Sequence, residues 1–201
     1  MSARTPAQKQ RTATLYDKII GHIVRNDWHL IDSDGKPTLW ARWNPEYVNW
    51  FPYSIVDRTL NSVEIIAGLQ FACKITGKEL HREIDYELLF QHGYLSNIVS
   101  SIKLIAPKKG FIQEGNDMGD EGNHSDDQLA FDTCWTLHQF AFTEELRRKY
   151  AAAALDHFEL EKHERTPIWN FVAAMAKAND FDLDGALRTL RRFPLGLISW
   201  P

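Results

Sequence analysis

The chain has 201 residues, 44% hydrophobic and 25% charged, with a formal net charge of −4. That length and balance suit one domain with a substantial core and exclude disordered and fibrous classes. The acidic balance, with no Lys or Arg block, excludes general attraction to nucleic acid or to an anionic membrane surface. No apolar run is long enough to cross a bilayer, and Met1 to Arg11 lacks the hydrophobic region of a secretory signal. As written, the chain is expected in the cytoplasm; a truncated N-terminus would make the expectation periplasmic or extracellular.

In chain order, apolar residues Leu15, Ile19, Ile20 and Ile23 predict an amphipathic helix from about Thr12 to Asn26. His29 to Trp43 then breaks the helical pattern. Asp34-Gly35 between Leu30-Ile31 and Thr38-Leu39-Trp40 reads as a short hairpin or ordered loop, and the only extended structure is expected here. Asp32-Ser33-Asp34-Gly35 lacks the later carboxylates of a calcium loop, so a plain turn is the reading. Three of the seven Trp residues, Trp40, Trp43 and Trp50, follow closely, and their faces suit core packing ahead of stacking on a sugar.

Leu60 to Ile75 is apolar nearly all round and predicts a buried helix, whereas Glu79 to Phe90 sets Leu80, Ile84, Leu88 and Leu89 against Glu79, Arg82, Glu83, Asp85 and Glu87 and predicts one facing water. The same order returns in Leu129 to Phe142 and Glu144 to Lys162, a repeat of about 65 residues. A third, shorter pair follows in Trp169 to Lys177 and Asp182 to Arg192. Cys73 and Cys134 lie inside the apolar segments and read as core residues, not as a disulfide or metal site. The fold class expected is therefore all-α, with α/α hairpin repeats in two layers over residues 1–201 and an insertion near residues 29–43.

Between the first two pairs, Glu114 to Asp127 carries six acids and no Lys or Arg, which reads as a solvated loop, with a cation site as the sharper alternative. It ends on Asn123-His124-Ser125-Asp126-Asp127-Gln128, where an imidazole and two carboxylates enter the first turn of a helix. Ser125 and Gln128 form a capping-box pattern, and either Asp complements the helix N-terminus. Capping leaves His124 and one Asp unexplained. Aligning the two repeats places Ser62 on Ser125 and Glu64 on Asp127.

Asp34-Gly35-Lys36-Pro37-Thr38, Trp43-Asn44-Pro45-Glu46, Leu60-Asn61-Ser62-Val63-Glu64-Ile65, His92-Gly93-Tyr94, Asn123-His124-Ser125-Asp126-Asp127, Pro167-Ile168-Trp169-Asn170-Phe171 and Leu197-Ile198-Ser199-Trp200-Pro201 occur in this order. Together they resemble a group of bacterial α/α-toroid proteins that looks like part of the six-hairpin glycosidase superfamily. The resemblance spans roughly Trp28 to Pro201. It implies a cleft at one mouth of the ring, built from inner-helix starts and the loops before them.

Under that resemblance the chain is a glycoside hydrolase-like protein acting on a glycan or oligosaccharide. Its catalytic candidates are Asp126, Asp127, Glu64 and His124, and its substrate-binding candidates are Trp43, Asn61, Asn123, Trp169 and Asn170. Two acids in one partly buried site push their pKa values apart, which lets one act as general acid. No metal or cofactor is expected. One alternative is a polysaccharide lyase using Asn123, His124 and Tyr94; the other is a non-catalytic scaffold that binds a glycan or a protein. A closed six-hairpin ring needs about twelve helices and the periodicity supplies about seven. A partial ring leaves apolar inner faces bare, so the expectation is a homo-oligomer, or a longer chain of which this is the first part.

Overall fold

The computed structural model describes residues 5–54, 57–100, 112–113, 116–117, 124–162, 165–179 and 181–193. The described chain is predominantly helical. Helix α1 spans Pro6–Arg25, strands β1 (His29–Ile31) and β2 (Pro37–Arg42) form an antiparallel pair, and a short α2 covers Pro45–Trp50. Helix α3 (Arg58–Thr76) is followed by α4 (Glu79–Tyr86), which runs on into a π-helical turn over Glu87–Gln91, and by α5 (Tyr94–Ser100). After a two-residue pair, β3 (Ile112–Gln113) with β4 (Asn116–Asp117), come α6 (His124–Phe140), α7 (Glu144–Glu161), α8 (Pro167–Met175) and α9 (Leu183–Arg192).

Local chemistry explains the boundaries. Thr5 and Gln8 form a reciprocal capping box with Pro6 in the first turn, so α1 begins about two turns before the apolar stripe that announced it. The β1–β2 connection turns at Gly35 (φ 80°), and Asp32 and Asp34 accept the backbone N–H groups of Ser33 and Lys36, which makes Asp32-Ser33-Asp34-Gly35 a turn. Gly77 ends α3 in the left-handed conformation (φ 71°), where a side chain would be strained. Thr143 starts α7 by accepting the N–H of Leu146 at 3.1 Å.

Helix α3 is the hub. It packs against α1, α2, α4, α5 and α6, while α8 lies against α6 and each of α4, α7 and α9 packs on the helix before it. Leu60, Val63, Ile65, Ile66, Leu69 and Ala72 of α3 are buried on several sides, as an apolar helix must be. A second apolar cluster joins Phe131 and Cys134 of α6, Ala154 and Phe158 of α7, and Trp169, Val172 and Ala173 of α8. No helix among the described residues is long and apolar enough to cross a membrane.

Three sequence expectations need correction. Extended structure is not confined to residues 29–43, because β3 pairs with β4 inside the acidic segment. Asp85, expected on the wet face of α4, is fully buried. Trp40 and Trp50, read as packing residues, are 84% and 81% exposed. The Ser125 side chain of the expected capping box lies outside the described residues; on the described side, Gln128 Nε2 donates to Asp132 Oδ1 at 3.1 Å.

Candidate active site

The site begins at Trp43. Its backbone is held from both sides, its N–H donating to the Trp28 carbonyl at 2.8 Å and its carbonyl accepting the Tyr94 hydroxyl at 2.5 Å. Its ring packs against the core beside α3, and its indole N–H donates to Glu64 Oε2 at 3.1 Å. Glu64 thus has a fixed partner two turns into α3.

The start of α3 is fixed by a polar network. Thr59 donates to the Asn97 carbonyl at 2.9 Å, and Asn97 Nδ2 donates to Asn49 Oδ1 at 2.9 Å and Ser62 Oγ at 3.1 Å. Arg58 donates to the carbonyls of Val48 and Asn49. These bonds tie α2, α3 and α5 together under the turn that carries Asp57. Asp57 stands at the N-cap of α3, yet its side chain makes no capping hydrogen bond. A carboxylate at that position normally satisfies the free N–H groups, so capping does not account for this one.

Burial pushes the Asp57 carboxyl up to about 6, and the nearby charge of Asp126 adds to the rise. Glu64 is also raised, first by burial and then by the charges of Asp126 and Asp57, while the Trp43 hydrogen bond opposes the rise. Asp126, in the first turn of α6, therefore acts on both acids from the neighbouring helix. Three carboxylates, from the first two turns of α3 with its N-cap and from the first turn of α6, form one electrostatic unit. Mutual repulsion in a poorly solvated site favours keeping a proton within such a group, the condition for a general acid beside an ionised carboxylate. Among the described residues, no group of three or more His, Cys, Asp or Glu side chains is placed to hold a metal ion.

Two of the other sequence candidates, Trp169 and Asn170, fall elsewhere. Trp169 is buried (2% exposed) and stacked on Phe131 at 5.0 Å, so it belongs to the core and offers no sugar platform. Asn170 is buried, and its Nδ2 donates to the carbonyls of Phe181 at 2.6 Å and Asp182 at 2.9 Å, tethering the chain between α8 and α9. Asn61 is buried on α3. Tyr94 is fully buried with its hydroxyl on the Trp43 carbonyl, and burial holds its pKa well above the ordinary tyrosine value. It does not face a substrate and is a poor base. Asn123 and the side chains of His124, Ser125 and Asp127 lie outside the described residues.

Two groups escaped the sequence reading. Asp57 precedes the apolar run Leu60 to Ile75 that predicts the buried helix, and its one sequence signal is an acid just ahead of a helix. Asp85 hid among the charges of α4. It joins Gln70 and Tyr150 in a buried network, Gln70 Nε2 donating to the Tyr150 hydroxyl oxygen at 3.0 Å and lying 3.5 Å from Asp85 Oδ2. Burial pushes Asp85 up to about 8. No protein-family model, curated protein or solved structure matches this chain.

Proposed function

We propose that this chain is a carbohydrate-active protein that hydrolyses a glycan through the Asp57, Glu64 and Asp126 carboxylates at the start of α3 and α6. The observation that carries the reading is the raised Asp57 carboxyl at a helix N-cap where it caps nothing, electrostatically coupled to Asp126. A carboxyl that titrates near 6 matches the general acid of glycoside hydrolysis, and an ionised partner supplies the base or nucleophile. Trp43 acts here as a positioning residue, its indole N–H holding Glu64. In the same reading α3, α6 and α8 form the inner layer of a partial ring of α/α hairpins and α4, α7 and α9 the outer one, supported by the neighbour relations among these helices. The lyase alternative loses support because Tyr94 is buried and committed to Trp43.

The test is incubation with a panel of α- and β-linked oligosaccharides at mildly acidic pH, with products read by mass spectrometry. The reading expects cleavage by the parent and loss of cleavage in Asp57→Asn, Glu64→Gln and Asp126→Asn, each checked for retained helicity. Turnover unchanged in all three variants, or binding of the panel without any cleavage, would reject it, the latter in favour of a glycan-binding scaffold.

A further inference from the structure

A groove of about 330 Å³ opens between the α1–β1 turn and α2, at the small end of the ~300–1,000 Å³ range of small-ligand sites. Its apolar wall is Tyr47, Trp50 and Phe51, and its polar wall includes Asp27, His29 and Glu46. Trp50 leaves 81% of its surface in water, an unusual placement for so large a ring. The other aromatics are already engaged: Tyr47 and Phe51 stack at 5.1 Å, and the Arg42 guanidinium lies 5.5 Å from the Tyr47 ring centre. Trp50 is the face left free for a ligand.

The backbone that holds this wall is strained. Asp27 and Trp28 sit consecutively in the left-handed region (φ 53° and 64°), fixed by Asn44 Nδ2 on the Asp27 carbonyl at 3.2 Å and by Trp43 N–H on the Trp28 carbonyl. Two non-glycine residues in that region cost energy that the surroundings must offset. The Asn44 amide is spent on this task and, through Oδ1, on the N–H groups of Glu46 and Tyr47. It has little left to offer a ligand. No Lys or Arg lines the groove among the described residues. The lining carries two carboxylates, Asp27 and Glu46, beside donors on His29, Tyr47 and Trp50, and the nearby cation Arg42 lies on the Tyr47 ring.

A broad open indole face suits the apolar side of a sugar ring better than a small ammonium ion, which gains most when rings enclose it. The carboxylates Asp27 and Glu46 repel uronates and sulfated sugars, and they favour a unit that brings donors and positive charge. An ammonium substituent supplies both, with three N–H donors. We infer that this groove is a subsite for a cationic amino-sugar unit, stacked on Trp50 with its ammonium group between Asp27 and Glu46. The inference rests on the carbohydrate reading above and narrows it to glycans containing free amino groups.

The test is calorimetric titration of the full chain, at a pH where the amine is protonated, with three β-1,4-linked tetrasaccharides: of glucosamine, of N-acetylglucosamine and of glucose. The glucosamine oligomer is expected to bind at least about tenfold more tightly than the other two, and Trp50→Ala to weaken it by about tenfold or more. The double change Asp27→Asn with Glu46→Gln should remove the preference for the free amine; Asn tolerates the left-handed backbone at residue 27, so the turn is kept. Equal affinity for all three oligomers, no binding, or no effect of Trp50→Ala in a folded variant would overturn the inference. Glucosamine binding by the parent without cleavage would retire the hydrolase and leave the subsite standing.

Discussion

The Trp43 indole N–H donates to Glu64 Oε2 at 3.1 Å, across twenty-one positions of sequence. The bond joins the segment after the β-hairpin to the hub helix and opposes the burial that raises Glu64. Trp43→Phe keeps the ring and deletes the donor. Glu64 should then titrate higher than in the parent, read by carboxyl carbon NMR, and the fold should lose about 0.5–1.5 kcal/mol. An unchanged Glu64 titration would mean that solvent replaces the indole without loss.

Asp85 makes a separate prediction about pH. Its folded pKa of about 8 lies above the ordinary 3.8, so the folded chain holds a proton that the unfolded chain has released throughout that window. Stability contributed by this group is therefore present at low pH and declines as pH rises from about 4 to 8. Asp85→Asn removes the titration and can keep an oxygen acceptor toward Gln70 Nε2. Melting temperatures should flatten across the window, and the variant should be the more stable by a few kcal/mol near pH 8. A variant less stable than the parent at every pH would show that Asp85 gains more from its partners than it loses to burial.

Helix α9 carries Leu183, Leu187 and Leu190, with Phe193 just beyond, on one stripe that is 37–57% exposed. Exposed apolar stripes at helical spacing mark association surfaces. The expected result is self-association at micromolar concentration, seen by sedimentation, and its loss in Leu190→Glu. A monomer in both proteins would show that this stripe has no partner among copies of the chain.

The helices were legible in the sequence because their signals are periodic and local. The all-round apolar pattern of Leu60 to Ile75 required burial, and α3 is the hub; the pairing of a buried with an outer helix followed from the contrast with Glu79 to Phe90. The details that failed depend on three-dimensional context. Asp85 and Glu83 look alike by residue type, although helical spacing puts Asp85 on the face of His81, Leu88 and Leu89, where Gln70 and Tyr150 enclose it. Trp169 and Trp50 look equally able to hold a sugar, yet one stacks on Phe131 and the other stands in water. For the candidate site, Glu64 and Asp126 could be named from residue type and position at helix starts. Asp57 could not, because an N-cap acid has an ordinary structural role until the missing capping bond is seen.

The most direct measurement is the titration of the Asp57 carboxyl by carbon-13 NMR in the parent and in Asp126→Asn. Coupled, poorly solvated carboxylates predict a midpoint near 6 in the parent and a clear fall once the Asp126 charge is gone, with the remainder of the rise left by burial. A midpoint near the ordinary value of 3.8 in both proteins would contradict the account, because the two helix starts would then carry independent, solvated acids with no proton to give.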